Sequence, residues 1–454
     1  MDNEVMRDSG VEWITNIPRE WIVKRIGDIS LKVGSGITPK GGSTIYLESG
    51  IPLLRSQNIH FSGLKIDDVV FISEETHQEM KGSQVKTNDV LLNITGASLG
   101  RCYYLSTNCI YKELNVNQHV CIIRPNHQIL TNFLYYFLYS DIGQSQIFSS
   151  FRGASREGLN FKDIKLFKLG LPTVSEQQVI AEYLDQRCAK LDAIIAIKRQ
   201  QIQTLDAFQR NVISETVTRG FQACELKETG SDWMPEIPGH WKLVNLKRVS
   251  KIQTGFTLGK QYDEQVIERP YLRVANVQDG HLSLSDVTTI EVPEYVASRV
   301  ELRAGDVLMT EGGDLDKLGR GTVWNAEIPN CLHQNHIFAV RCLQHKLLPG
   351  FLAYLTTSRY GRDYFEVTGK RTTNLASTNS TKVGQFPIPL PPLNEQKEIC
   401  DYLEKKLSVI AKISAGIEAQ ISTLEAYKKS LIYECVTGKK RVVSSDTAAN
   451  NRLA

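Results

Sequence analysis

The chain has 454 residues, 41% of them hydrophobic and 23% charged, with a formal net charge of +3. Such a composition belongs to a globular protein, and the length exceeds what one hydrophobic core usually serves, so two or more domains are expected. No apolar run approaches the roughly 20 residues that span a bilayer, Met1-Asp2-Asn3-Glu4 does not begin a signal peptide, and the nine cysteines include no Cys-x2-Cys pair. These features predict a cytoplasmic protein with reduced thiols, without a zinc site or disulfide framework.

In chain order, the first landmark is Trp13, Ile17-Pro18 and Trp21. Short runs rich in Val, Ile and Leu at 51–54, 69–72, 90–94 and 119–123 predict strands, and the aromatic run 133–138 predicts a short helix after Thr131-Asn132. The expectation is an α+β domain whose strand order stays open.

A Leu171-Pro172 step then leads into Ser175-Glu176-Gln177. Proline bars a helix from entering from upstream, and Ser175 is the expected N-cap, forming a capping box with Gln178. The seam that follows steps by four and three residues: Leu184, Cys188, Leu191, Ile195, Lys198, Ile202, Leu205, Gln209 and Val212. A 3.5-residue period held this long predicts a coiled coil, ended by Gly220 at a helix C-cap.

The whole pattern then repeats. Trp233, Ile237-Pro238 and Trp241 reproduce the first landmark, Pro270 to Asn276 matches Pro52 to Asn58, and Asp306-Val307-Leu308-Met309 matches Asp89-Val90-Leu91-Leu92. Leu390-Pro391 leads into Asn394-Glu395-Gln396 and a second seam: Leu403, Leu407, Ile410, Ser414, Ile417, Ile421, Leu424, Lys428 and Leu431, closed by Gly438. The chain is one unit used twice. Expected boundaries are 1–172 and 221–391 for the globular domains, 173–220 and 392–438 for the helices, and 439–454 for a disordered tail. A helix of about 42 residues is on the order of 60 Å long, whereas each domain has a radius of gyration near ~15 Å. The second domain is too small to return the chain along a parallel path, so the helices are expected to run antiparallel with pseudo-twofold symmetry. Lys198 falls where the second copy has Ile417, and Ser414 where the first has Ile195; polar seam positions of this kind fix register.

Motifs for catalysis are missing. The chain holds no Gly-x4-Gly-Lys-[Ser/Thr] phosphate loop, no Asn-Pro-Pro-[Tyr/Phe] methylation motif, no paired histidines for a metal and no persuasive nuclease signature. His119 and His336 recur beside amide side chains, and a structural hydrogen bond is the favoured reading of each. Binding residues are better represented. Arg55 with Asn58, and Arg273 with Asn276, could read guanine and adenine or hold phosphates, or could equally stabilise a repeated turn. Residues that read different sequences should differ between copies. The divergent glycine-rich loops fit that criterion: 34–42 with Lys40 against 254–260 with Lys260, 98–101 with Arg101 against 314–320 with Arg320, and 151–156 with Arg152 and Arg156 against 369–374 with Lys370 and Arg371.

From Glu12-Trp13 to Val436-Thr437-Gly438, these tandem [Ser/Asn]-Glu-Gln helices and Ile-Pro-x2-Trp landmarks resemble the specificity subunit of type I restriction-modification enzymes. The resemblance implies two target recognition domains, each reading half of an asymmetric bipartite DNA site, and an antiparallel coil that sets the spacer. It implies docking to two methyltransferase subunits and, through them, restriction-translocation subunits. This chain itself is then non-catalytic, while its partners use S-adenosylmethionine, ATP and Mg. Rival readings are a recognition subunit of a two-chain restriction enzyme with a fused methylase-nuclease partner, and a coiled-coil scaffold with no DNA role.

Overall fold

The structure is a computed structural model that describes residues 6–106, 109, 111–152, 158–221, 224–259, 262–313, 318–371, 376–443 and 446. The chain divides into two compact units, residues 1–198 with 419–454, and residues 199–418. Both are mixed α+β, and each is built on the same plan.

In the first unit, β1 (Ser30–Ser35), β2 (Val90–Asn93), β3 (Cys102–Tyr104) and β4 (Val120–Pro125) form an antiparallel sheet in the order β3-β2-β4-β1. Its central strands are apolar without a break because both faces are covered. Alternation sends Val90, Leu92, Cys121 and Ile123 into the main core, and Leu91, Val120 and Ile122 into a second cluster behind it. The second unit repeats the order with β5 (Ser250–Thr254), β6 (Asp306–Thr310), β7 (Gly321–Val323) and β8 (Ile337–Cys342), arranged β7-β6-β8-β5. A three-stranded sheet accompanies each, with Ile51–Leu54 central in one and Ile267–Leu272 in the other.

Buried ion pairs recur as well. Arg124 donates Nε and Nη2 to Asp89 at 2.7 Å each, and Arg341 donates to Asp306 at 2.8 and 2.6 Å. Both carboxylates are buried and also accept a backbone N–H, from Lys86 and Arg303.

The predicted short helix is α1 (Thr131–Tyr139), and the long helices are α2 (Val174–Arg219) and α4 (Leu393–Val436), with α3 (Pro349–Thr357) as the counterpart of α1. The helix starts differ from expectation. Thr173 Oγ1 accepts the Glu176 N–H at 3.3 Å, so the cap lies before Ser175, which sits inside the first turn. The second long helix starts after Pro392, and Asn394 is likewise inside it. Proline has already stopped the upstream chain at both places, so a cap closer to the proline suffices.

In the first unit, Ile180, Leu184, Cys188 and Leu191 share a core with Leu431, Ile432, Cys435 and Val436. Lys428 Nζ meets Asp192 at 2.7 Å, and Lys440 lies over the Tyr183 ring at 5.8 Å. A rising number on one segment meets a falling one on the other, so these segments are antiparallel. The second unit does the same: Ile213 and Val217 share a core with Ile399 and Leu403, while Phe221 stacks on Tyr402 at 5.4 Å. Each globular part is thus completed by the first half of its own helix and the last half of the other. All eighteen seam positions are buried or half-buried, including Lys198, Ile202, Leu205, Ile417, Ile421 and Leu424. No helix among the described residues is long and apolar enough to cross a membrane, and all nine cysteines are unpaired.

Candidate nucleic-acid interface

Within each unit the tryptophan landmark meets the Glu-Gln step of a long helix. Trp21, 1% exposed, donates its indole N–H to Glu176 at 3.0 Å, and Trp241, 0% exposed, donates to Glu395 at 3.0 Å. The neighbouring glutamine ties down the globular part. Gln177 donates to the carbonyls of Gln128 and Pro172 and accepts from Leu130 N–H, just ahead of α1. Gln396 does the same with Lys346, Pro391 and Leu348 ahead of α3. The Glu-Gln pair therefore welds each domain to its helix.

Gly220 and Gly438, at φ +72° and +71°, end the two long helices. A Cβ on Gly438 would stand 2.3 Å from Pro18 Cγ, and one on Gly220 would stand 3.4 Å from the Trp241 ring. Each helix C-terminus thus packs on a tryptophan landmark, the end of the second helix on that of the first domain.

With the domain frame fixed, described residues of loops 34–42 and 254–260, and residues next to the other divergent loops, lie at one end of each four-stranded sheet. In the first unit, Gly36 N–H donates to Val120 O, Ile94 N–H to His119 O and Leu159 N–H to Ile94 O. Loop 34–42 reaches the same ridge through a Thr38–Gln118 side-chain hydrogen bond. In the second, Phe256 N–H donates to His333 O and Glu311 N–H to His336 O. Gly312–Gly313 pairs with Ala376–Ser377, which pairs with Lys370–Arg371. Neighbouring backbone pairings thus bring loop 34–42 and residue Leu159 to the same strand ends in the first copy, and Phe256 and Glu311 to the same strand ends in the second.

The Arg-x2-Asn turns lie beneath these ridges. Asn93 donates to Ser56 O at 2.7 Å, and Val274 N–H donates to Gln334 Oε1 at 3.2 Å. Asn58 is 0% exposed and accepts from Arg55 N–H while donating to Lys65 O and Asp68. Asn276 accepts from Arg273 N–H and donates to Ser283 O and Asp286 O. Arg55 donates to Asp68 O at 2.7 Å, and Arg273 pairs with Asp286 at 2.8 Å. This geometry gives the repeated pair the turn-closing job.

Lys40 and Lys370 are exposed, and Arg101 and Arg320 are half-buried. Arg156 and Lys260 lie outside the described residues, and only the backbone of Arg152 and Arg371 is described. His119 hydrogen bonds Thr95 at 2.7 Å, while His336 meets Glu311 at 2.6 Å. Sequence reasoning did not single out Thr95 or Glu311. Their common signal is that each directly precedes a glycine just beyond a strand end. Deeper in the second unit, His333 hydrogen bonds Ile337 O at 3.0 Å, and burial pushes its imidazole down to about 4. Among the described residues no group of three His, Cys, Asp or Glu side chains is placed to hold a metal.

Residues 18–207 and 238–423 match the type I restriction modification DNA specificity domain. The chain is 22% identical to the type I restriction enzyme EcoKI specificity subunit of Escherichia coli K12 over 93% of its own length and 90% of that protein's. It is 25% identical to the MjaVIII specificity subunit of Methanocaldococcus jannaschii over 94% of each. Among solved structures, a chain from work on assembly and conformational transition of the type I restriction-modification system superposes with TM-score 0.70 at 17% identity, over 93% of this chain and 99% of that one. The HsdS subunit of Thermoanaerobacter tengcongensis superposes at 0.53 and 18% identity, over 93% and 98%.

Proposed function

Because this chain belongs to the type I restriction-modification DNA specificity family, we propose that it is the sequence-reading subunit of such a complex and carries no catalysis itself. Each unit's ridge of loops contacts one half of a bipartite DNA site. Lys40, Arg101, Arg320 and Lys370, with Arg152, Arg156, Lys260 and Arg371, supply cations to phosphates and base edges. Arg55, Asn58, Arg273 and Asn276 hold the turns beneath. The long helices set the spacer, and their outer faces dock two methyltransferase subunits, which recruit the restriction-translocation subunits in the cytoplasm. S-adenosylmethionine, ATP and Mg serve those partners. The globular parts correspond to 1–172 and 221–391, the helices to 173–220 and 392–438.

One observation carries the reading: the framework repeats while the ridge does not. The histidine repeated on both ridges has different partners: His119 hydrogen bonds Thr95 and Gln118, whereas His336 hydrogen bonds Asn335 and Glu311, which takes the backbone position of Ile94 in the first copy. A carboxylate accepts from cytosine N4 and repels phosphate, whereas a hydroxyl does neither strongly, so the halves should read different bases. Methylome sequencing of cells expressing the assembled complex tests this. The expected motif is asymmetric and interrupted by a fixed spacer; a contiguous or perfectly palindromic motif overturns the proposal.

A further inference from the structure

The two copies part company at a second place, between the four-stranded sheet, the short helix and the long-helix pair. In the first unit, Tyr103 and Tyr104 of β3 stand opposite Leu91 and Val90; in the second, Thr322 and Val323 of β7 stand opposite Leu308 and Val307. On the short helices, both of which follow a leucine N-cap and end at a serine, Tyr135 and Tyr139 of α1 become Ala353 and Thr357 of α3. Three residues beyond each turn asparagine, Phe61 becomes Asp279.

The five first-unit side chains form one aromatic cluster. Ring centroids lie 4.7 Å apart for Phe61–Tyr139, 5.2 Å for Tyr103–Tyr104, 5.8 Å for Tyr103–Tyr135, 5.4 Å for Tyr104–Tyr135 and 6.0 Å for Tyr135–Tyr139. In the second unit all five counterparts line a single cavity of about 660 Å³. Its walls keep an apolar share through Leu282, Ile213 and Leu407, and Gln209 and Arg210 of α2 add polar groups. Duplication has thus left the same space filled by rings in one copy and hollow in the other.

We propose that this cavity is a binding site for aromatic side chains presented by a partner protein, and that the methyltransferase docked on the second unit provides them. The first copy is the template: the same backbone frame there accommodates rings carried on polypeptide, with Tyr135 Oη donating to Phe61 O at 2.6 Å. The volume falls within the roughly 300–1,000 Å³ of specific pockets, and aromatic anchors seated in such pockets dominate protein interfaces. The cavity is also continuous with the helix face assigned above to docking. Gln209 and Arg210 line it, and Phe208, next to them, is 47% exposed. The identity of the partner rests on the proposed function; the aromatic chemistry of the cavity does not.

The test uses the full chain and p-cresol, the tyrosine side-chain analogue, followed by saturation-transfer NMR. A353Y/T357Y restores the first copy's residues, with T357Y alone as the fallback should the double variant lose its thermal transition. Wild type should bind p-cresol and the filled variant should lose the signal at least tenfold; equal signals, or none in wild type, overturn the site. Purified methyltransferase is then titrated into both proteins. Weakening of one of two binding events by at least tenfold in the variant supports the partner assignment. Undiminished binding to the variant overturns it and leaves a small aromatic molecule as the ligand. Absence of methyltransferase binding to wild type defeats the proposed function and the partner assignment together, while the p-cresol result still reports on the cavity.

Discussion

Lys370 stands exposed on a short edge strand paired with Ala376–Ser377, which pairs on its other side with Gly312–Gly313. A flexible ammonium fixed near a ridge of loops is suited to a phosphate, which carries charge but no base identity. K370A should therefore weaken DNA binding of the assembled complex evenly across sequences and reduce the slope of log affinity against log salt by about 1. Filter binding at several salt concentrations measures both, and an unchanged slope sinks the assignment. His333 offers a different kind of test. Its folded pKa of about 4 lies below the ordinary 6.5 because burial disfavours the charged ring. A depressed value means that the unfolded chain takes up the proton first. The stability is therefore full above pH 6.5 and drains as pH falls toward 4, by on the order of 3 kcal/mol. H333V should flatten that acid limb for the second unit, read by hydrogen exchange of β8 between pH 4 and 7.

At the scale of elements, the seams were legible because a heptad stripe is a local pattern: all eighteen positions are buried or half-buried. The strands at 51–54, 90–94 and 119–123 and the helix after Thr131 were equally readable, since apolar runs bounded by turn residues announce themselves. The N-caps were not, because Ser175 and Asn394 have the right chemistry two residues too late and the prolines decide where the helix begins. Nor did the sequence disclose why Glu-Gln follows, since its partners are distant in the chain. Gln177 and Gln396 each satisfy one N–H and two carbonyls at 0% exposure. Q177A leaves buried backbone groups without partners, so the first unit should lose at least about 2 kcal/mol. Q396A should act alike on the second unit. Urea unfolding followed by hydrogen exchange in each unit measures this; an unaffected midpoint would show that the glutamines are dispensable.

For the molecule as a whole, the duplication was the most legible property of the sequence, because two tryptophan landmarks recur at an offset of 220 and two Glu-Gln helices at 219. The convergence of loops was not legible. Thr38 meets Gln118, and Lys370 joins Gly312 through Ser377, only once strand order is known. If the helices set the spacing between half-sites, four residues inserted after Gln200 should lengthen the methylated motif's spacer or abolish assembly. Methylome sequencing with the same motif and spacer as wild type would refute the helices as a ruler.

The interleaving of the chain also sets an order of events during synthesis. The first globular part leaves the ribosome early, yet Ile180, Leu184 and Leu191 are covered by Leu431, Ile432 and Val436, and Trp21 is packed by Gly438. Those residues arrive only with the last helix, on the order of tens of seconds later at 5–20 residues per second. The second unit, made of residues 199–418, can close before the first is finished. The domain translated first is the one that matures last, and in the interval its helix offers an apolar stripe to chaperones or to a neighbouring nascent chain.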